Sequence, residues 1–343
     1  MRAACAGQPL DRPPVWLMRQ AGRYMPEYRA LRARHGLLEI CRTPALAAQV
    51  TLEAARRLGT DAAIIFADLL LPATPLGLRL DFTAGEGPQL TPPLRSAAAI
   101  ARLPEQWQGA LGFVSEALAR VAAAVGQETA VLGFAGAPFT LASYLIEGRP
   151  APHFLETKRL LQTQPEAWDE LMRKLVTGLS GFLAEQAAAG ATALQLFDSW
   201  AGALSPEDYR RSVLPHNQRL VRSVRACGVP VIYFSTGTTG YLELLSDTGA
   251  DVLSLDWRIE LSEAWRRLDR LPSPPAALQG NLDPALLLAP QPRLREACED
   301  MLAQARGRAG YIVNLGHGIL PATPVEAVQA LVRRVRMGTW EPG

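Results

Sequence analysis

Seven short apolar runs recur along the chain, and each one ends in polar or glycine-rich residues. They are DAAIIFAD (61–68), AVLGFAGAP (130–138), ALQLFDSW (193–200), VPVIYFSTG (229–237), DVLSLDW (251–257), AALQGNLDP (276–284) and GYIVNLGHG (310–318). Runs this short and this continuously apolar are typical of strands that are covered on both faces, as in a parallel sheet. The chain is therefore expected to build a parallel sheet wrapped by helices.

Helix-favouring stretches separate most of these runs, and VWLMR (15–19) is a candidate for an eighth strand. Eight strands alternating with helices over about 300 residues predict a (β/α)8 TIM barrel, for which roughly 250 residues is typical. A doubly wound sheet is the structural alternative. No linker divides the chain, so residues 1–343 are predicted to form one α/β barrel domain with an arginine-rich active-site segment at the amino end.

Composition restricts the class of protein further. The 343 residues are 48% hydrophobic and 20% charged, and no apolar run approaches the roughly 20 residues that a membrane helix requires. The first residues carry no long apolar segment, and the four cysteines form no CxxC pair. We expect a cytoplasmic protein in a reducing compartment, with no membrane partner and no cysteine-based metal site.

Positive charge is concentrated at the amino end. The net charge of the whole chain is only +2, which argues against a nucleic-acid partner, yet residues 1–42 hold eight arginines against three acidic residues. Within WLMRQAGRYMPEYRALR (16–32), arginines lie among tryptophan, methionine and tyrosine, an unusual setting for a solvated face. Several guanidinium groups in one cavity can hold a ligand with several carboxylates or phosphates, although a solvated basic stretch is the alternative.

The active site of a barrel lies where the carboxyl ends of its strands meet. The residues that end the predicted strands are Arg19, Asp68, the turn at Gly136, Asp198, Ser199, Ser235, Thr236, Asp256, Asn281, Asp283 and His317. This predicts a polar ring with few bases. The chain contains no HExxH, no GxSxG, no P-loop and no GxGxxG between a strand and a helix, so the common hydrolase and nucleotide-binding chemistries have no support.

Two members of this ring are candidates for chemistry on the residues alone. Asp68 either caps the segment that follows it or accepts N–H groups and stabilises a cation at the barrel rim. His317 lies between two glycines, which leave its ring more accessible than bulky neighbours would. Tyr144 and Ser199 are ordinary structural residues on spacing alone.

Five blocks of the sequence resemble the uroporphyrinogen decarboxylase family. PPVWLMRQAGRYMPEYR (13–29) and GFAGAPFTLASY (133–144) are similar to its two signatures, and IIFADLL, LFDSWAG and NLGHGI follow in the expected order. The resemblance implies a cytoplasmic enzyme of haem biosynthesis that decarboxylates the four acetate side chains of uroporphyrinogen III to give coproporphyrinogen III. It also implies a (β/α)8 barrel, a homodimer, and no metal or organic cofactor.

The resemblance also implies roles for particular residues. Those carried over as substrate-binding are Arg19, Arg23 and Arg32 for carboxylates, Asp68 for the pyrrole N–H groups, Tyr144, Ser199 and His317 as further pocket residues, and Gln20 as a weaker candidate. Those expected to be catalytic are Asp68, Arg19, Tyr144 and His317. The proton donor stays open among Arg19 or a held water, Tyr144 and His317, because arginine is rarely deprotonated.

The implied reaction agrees with the residues available. A pyrrole protonated beside its acetate-bearing carbon accepts the electrons of the breaking bond, so the substrate is its own electron sink and needs no cofactor for that purpose. A desolvated Asp68 carboxylate under the pyrrole N–H groups would stabilise the ring cation; one such preorganised interaction is typically worth about 3 to 4 kcal/mol.

Two other classes of function remain to be weighed. Cobalamin-dependent methyltransferases look similar in fold and in some motifs, but they typically bind zinc through histidine and cysteine, and the four histidines here have no HxC partner. A tetrapyrrole carrier without enzymatic activity would need the same arginines and carboxylate. Zinc analysis tests the first alternative, and incubation with uroporphyrinogen tests the second.

Overall fold

The protein is organised around a parallel sheet. The computed structural model describes residues 1–83 and 87–338. In chain order the strands are β1 (Ala62–Ile64), β2 (Arg79–Thr83), β3 (Gly87–Thr91), β4 (Ala130–Gly136), β5 (Ala193–Asp198), β6 (Val231–Ser235), β7 (Val252–Ser254), β8 (Ala277–Leu282) and β9 (Tyr311–Leu315). Each of the seven apolar runs contains one strand of the parallel sheet, as predicted.

Helices occupy most of the connections. They are α1 (Arg2–Cys5), α2 (Pro26–Arg32), α3 (Leu37–Arg42), α4 (Pro44–Leu58), α5 (Ala97–Ala101), α6 (Gly112–Val125), α7 (Pro138–Glu147), α8 (Leu155–Thr163), α9 (Pro165–Ala188), α10 (Pro206–Ser212), α11 (Leu214–Arg225), α12 (Leu242–Ser246), α13 (Leu261–Leu268), α14 (Gln291–Gln304) and α15 (Val325–Met337). Short 3-10 turns span Leu71–Ala73, Ala201–Ala203, Thr239–Tyr241 and Pro284–Leu288. None of the described helices is long and apolar enough to cross a bilayer.

The order of the strands decides between the two architectures. Parallel pairing runs β1-β4-β5-β6-β7-β8-β9, so each strand lies beside the next one in the chain. In a doubly wound sheet the order of the strands reverses at a switch point, and the strand order in this sheet does not reverse. The sequential order agrees with the predicted barrel.

A segment near the amino terminus closes the gap between the last strand and the first. Val15 forms a parallel bridge with Val313 of β9, and the Val313 N–H donates to the Pro14 carbonyl at 2.9 Å. On the other side, the Asp61 N–H, next to β1, donates to the Val15 carbonyl at 2.8 Å. Val15 therefore lies between β9 and β1 and occupies the place of the eighth strand.

The predicted eighth strand, 15–19, is much shorter than expected, because the backbone leaves the sheet after Val15. Side-chain amides replace the missing ladder. Gln20 accepts from the Leu17 N–H at 3.2 Å and donates to the Ala62 carbonyl at 2.9 Å. Asn314 Oδ1 accepts from the Met18 N–H at 3.0 Å. The chain can thus turn into the barrel mouth while its backbone groups stay paired.

A two-stranded hairpin stands beside the barrel mouth. β2 and β3 pair antiparallel, with Leu80 opposite Leu90, and both of these side chains are buried. Residues 84–86, between β2 and β3 in the chain, lie outside the described residues. The Leu90 N–H donates to the Gly148 carbonyl at 2.7 Å, which ties the hairpin to the end of α7.

The closure by Gln20 generates a stability prediction. Gln20→Ala removes both amide contacts, which leaves the buried Leu17 N–H unpaired and the Ala62 carbonyl with only the Thr60 hydroxyl as donor. We expect the free energy of unfolding to fall by about 2 to 4 kcal/mol in a denaturant titration. Gln49→Ala, which removes an exposed side chain from α4, is the matched control and should change it by less than about 0.5 kcal/mol. Equal stability of the two variants would contradict this account of the seam.

Candidate active site

A large cavity opens at the carboxyl ends of the strands. Its volume is about 890 Å³, which is at the upper end of the range typical of small-molecule sites. Its walls come from the turn that follows Val15, the segment after β1, the hairpin, α7, and the ends of β4, β5, β6 and β9. Among the predicted site residues, those that line it are Arg19, Arg23, Arg32, Asp68, Tyr144, Ser199 and His317.

Aromatic rings form one side of the cavity. Phe134, Phe197 and Phe234, from three adjacent strands, follow one another in edge-to-face contacts with centroids 5.6 and 5.8 Å apart. The His317 ring continues this row at 5.9 Å from Phe234. These phenylalanines are not among the predicted site residues, although a phenylalanine stands one or two residues before the polar end of several runs. Such a wall suits a flat, apolar ligand body.

The cationic groups of the wall come from the amino-terminal part of the chain. Arg19 and Arg23 lie on the turn that follows the barrel seam, and Arg32 lies at the end of α2. Arg29 of the same sequence block has a different place, since its Nη1 donates to the carbonyls of Arg23 and Tyr24 at 3.1 and 2.7 Å. Arg29 thus holds the backbone of the turn that presents Arg23.

The backbone at Arg19 has an unusual conformation. Its φ is 61°, in the left-handed region that residues other than glycine rarely adopt. Its side chain passes directly over Gly318, where a Cβ atom would lie 2.4 Å from Arg19 Cδ and 2.6 Å from Cγ. Residue 318 must therefore be glycine for Arg19 to hold this position.

Asp68 contributes a carboxylate to the cavity wall. Its Oδ1 accepts from the Leu70 N–H at 2.8 Å, so it does cap the following segment, and within the described residues no hydrogen bond reaches its other oxygen. Burial raises the pKa of Asp68, while the Leu70 N–H and the charge of Arg19 act to lower it. A carboxylate in this setting gains from further N–H donors or a nearby cation.

His317 is held as a neutral imidazole. Burial, together with the charges of Arg19 and Arg258, lowers the pKa of His317 to about 4, against an opposing effect of Asp256. Its Nδ1 accepts from the Gly318 N–H at 2.7 Å, which assigns the proton to Nε2. His317 is therefore a hydrogen-bond donor at neutral pH.

Tyr144 and Ser199 are brought together by α7 and the end of β5. Burial and the charge of Asp68 raise the pKa of Tyr144, so its phenol keeps its proton. The Tyr144 ring lies 5.8 Å from the ring of Trp200, the residue after Ser199. Tyr144 and Ser199 thus offer hydroxyl groups to the same cavity.

Gln20 does not line the cavity. Its side chain is 1% exposed, and both ends of its amide bind backbone groups at the barrel seam. The structure gives Gln20 a place behind the wall, where it supports the turn that carries Arg19.

The polar ring predicted at the strand ends divides into two groups. Arg19, Asp68, Ser199 and His317 line the cavity, whereas the others do not. Asp256, for example, accepts from the Gly237 N–H at 2.7 Å, and Asn281 donates to the Asp256 carbonyl at 2.8 Å. Within residues 1–83 and 87–338, no three histidine, cysteine or acidic side chains are grouped as metal ligands would be.

Comparisons with known proteins agree with this geometry. The family model described as "Uroporphyrinogen decarboxylase" matches residues 1–337. A uroporphyrinogen decarboxylase of Koribacter versatilis is 51% identical, over 97% of this chain and 94% of that protein. One of Solibacter usitatus is 48% identical, over 97% and 95% respectively.

The solved structure of a methyltransferase from Methanosarcina mazei superposes with a TM-score of 0.76, over 96% of this chain and 95% of that one. At 20% identity this likeness concerns the fold alone, and it agrees with the predicted barrel. With the family match over nearly its whole length and close relatives at about half identity, the chain belongs to the uroporphyrinogen decarboxylase family.

Proposed function

We propose that this protein removes carbon dioxide from the four acetate side chains of uroporphyrinogen III, giving coproporphyrinogen III. Family membership supports the reaction. The observation that carries the proposal is the arrangement of the cavity, in which a half-buried carboxylate, Asp68, shares an aromatic-walled space with three arginines. This space matches a macrocycle that is apolar in its body, anionic at its rim and rich in N–H donors at its centre.

In this proposal the arginines bind the rim of the macrocycle. Arg19, Arg23 and Arg32 pair with substrate carboxylates, for which a guanidinium is well suited because it can donate two parallel hydrogen bonds. Asp68 accepts the pyrrole N–H groups through the oxygen that faces the cavity. These N–H groups supply the hydrogen bonds that the carboxylate lacks, so substrate binding favours the ionised form of Asp68.

The chemistry proceeds through the ring itself. A proton adds to the pyrrole carbon beside the acetate-bearing carbon, and the ring becomes cationic. The bond to the carboxylate then breaks, its electron pair neutralises the ring, and carbon dioxide leaves. Protonation of the resulting methylene carbon and loss of the first proton from the ring restore the pyrrole with a methyl group. Each round consumes one proton, and Asp68 stabilises the cation electrostatically.

Tyr144 and His317 act in this scheme as neutral hydrogen-bond donors. The low pKa of His317 leaves little imidazolium near neutral pH, and the raised pKa of Tyr144 keeps its phenol intact. Both groups can donate to a substrate carboxylate, as can the Ser199 hydroxyl. We extend the proposal to a single catalytic domain over residues 1–343 that acts in the cytoplasm as a homodimer, without nucleic acid, metal or organic cofactor.

Incubation with the substrate tests this function. Purified protein is mixed with uroporphyrinogen III under reducing, anaerobic conditions, and the porphyrins obtained by later oxidation are separated by their number of carboxylates. We expect species with seven, six and five carboxylates to appear and to be replaced by the species with four. Retention of the eight-carboxylate substrate in a protein-bound form would indicate a carrier and would contradict the proposal.

Replacing Asp68 separates its electrostatic role from substrate binding. In Asp68→Asn we expect turnover to fall at least about tenfold with binding partly retained, because the arginines are unchanged. Burial raises the pKa of Asp68, so the ionised carboxylate destabilises the folded protein at pH values above that pKa. This destabilisation is lost as the pH falls through the pKa and the carboxylate becomes protonated. The melting temperature of Asp68→Asn should therefore exceed that of the parent at neutral pH, and this difference should shrink in acid. Turnover near the parent level would exclude Asp68 from the mechanism.

The charge state of His317 is open to direct measurement. We expect its imidazole C2–H resonance, identified by its loss in His317→Asn, to stay constant from about pH 8 to about pH 5.5, since its pKa is lowered to about 4. A titration midpoint near the ordinary value of about 6.5 would show that His317 is available as an acid at neutral pH.

The contact between Gly318 and Arg19 predicts the effect of a small substitution. In Gly318→Ala the added methyl group meets the Arg19 stem, so the guanidinium must leave its position in the cavity. We expect kcat/KM to fall at least about tenfold, which reflects lost positioning. Gly181→Ala is the matched control, because a Cβ there meets nothing within 4 Å, and it should keep the activity of the parent. Equal activity of the two variants would contradict the requirement for glycine.

A further inference from the structure

One peptide group at the edge of the cavity is held on both sides by threonine hydroxyls. The group joins Ser199 to Trp200. Its carbonyl accepts from Thr236 Oγ1 at 2.7 Å, and its N–H donates to Thr140 Oγ1 at 3.2 Å. Thr140 comes from the first turns of α7, and Thr236 follows β6, so two separate elements fix this peptide plane.

The Thr140 side chain is itself held by a hydrogen bond to a buried carboxylate. Its hydroxyl donates to Asp198 Oδ1 at 2.8 Å, and it is fully buried. Asp198 is also fully buried, and its Oδ2 accepts from the Tyr233 hydroxyl at 2.5 Å and from Asn217 at 3.4 Å. Because the Thr140 proton is directed to Asp198, its oxygen lone pair is left for the Trp200 N–H.

The same threonine lies close to a second cavity residue. Thr140 and Tyr144 are four residues apart on α7, so they lie on one face of the helix. The ring of Trp200 in turn lies 5.8 Å from the ring of Tyr144. Thr140 therefore links the peptide that carries Ser199 with the helix that carries Tyr144.

We propose that Thr140 and Thr236 are positioning residues that set the direction of the Ser199 hydroxyl and its separation from Tyr144. A peptide anchored at both its carbonyl and its N–H cannot rotate without breaking a partly buried hydrogen bond, and leaving such a group unpaired is costly. Thr140 and Thr236 do not line the cavity, so their effect on the reaction passes through Ser199. The kinetic part of this inference rests on the proposed function.

The test compares two substitutions at one position. Thr140→Val keeps the shape of the side chain and removes the hydroxyl, whereas Thr140→Ser keeps the hydroxyl. We expect kcat/KM for uroporphyrinogen to fall at least about tenfold in Thr140→Val and to stay within about threefold of the parent in Thr140→Ser. In the Ser199→Ala background, the same valine substitution should have little further effect, because the positioned hydroxyl is already absent.

A control variant separates positioning from loss of stability. Tyr209 is fully buried, on the far side of Asp198. Its hydroxyl hydrogen-bonds to the Tyr233 hydroxyl and accepts from the Asn217 amide. Tyr209→Phe should lower the melting temperature and leave kcat/KM unchanged. If Thr140→Val lowers only the melting temperature, as Tyr209→Phe does, Thr140 is merely structural and the inference fails.

Crystal structures of the unliganded variants give a readout that does not depend on catalysis. We expect the Ser199–Trp200 peptide to be rotated in Thr140→Val and unchanged in Thr140→Ser. A parent protein that fails to convert uroporphyrinogen would overturn the proposed function while this structural comparison still decides the positioning. An unrotated peptide in Thr140→Val would overturn the inference, whatever the activity of the parent.

Discussion

The closure of the barrel is the constraint on which the rest depends. A sheet of seven parallel strands has two open edges, and unpaired edges in a barrel core are costly. Here a single bridge at Val15, flanked by hydrogen bonds to β9 and to the start of β1, fills the gap. The chain then turns inward and places Arg19 and Arg23 in the cavity. The segment that seals the barrel is also the one that brings Arg19 and Arg23, and with them positive charge, to the cavity.

Two carboxylates near the cavity, the fully buried Asp198 and the half-buried Asp68, differ in their hydrogen-bond partners. Asp198 accepts hydrogen bonds from Thr140, Tyr233 and Asn217, and its role is structural. Asp68 has only the Leu70 N–H among the described residues, and its other oxygen is left toward the cavity. An incompletely paired carboxylate costs the fold stability. In the proposed function, the N–H groups of the substrate supply the missing partners, which is a common compromise at functional sites.

The sequence was sufficient for the features that depend on local pattern. The short apolar runs predicted the seven parallel strands, and the motif residues from Arg19 to His317 lie around one cavity. Features that depend on long-range packing were missed. Gln20 stands within the motif, yet its amide binds Ala62 across the seam. The strand predicted at 15–19 is reduced to one bridge at Val15, and side-chain amides pair the backbone beyond it. Thr140 and Thr236 come together at one peptide group only because α7 and the end of β6 are adjacent in the fold. No spacing in the sequence predicts this contact.

The central claim is that a macrocycle sits over Asp68 with its carboxylates on the arginines of the seam. The most direct test is a crystal structure of the protein with the four-carboxylate product bound under reducing conditions. The account predicts pyrrole nitrogens within hydrogen-bonding distance of the free Asp68 oxygen, and product carboxylates paired with Arg19, Arg23 or Arg32. A product bound with its nitrogens turned away from Asp68, or outside this cavity, would contradict it.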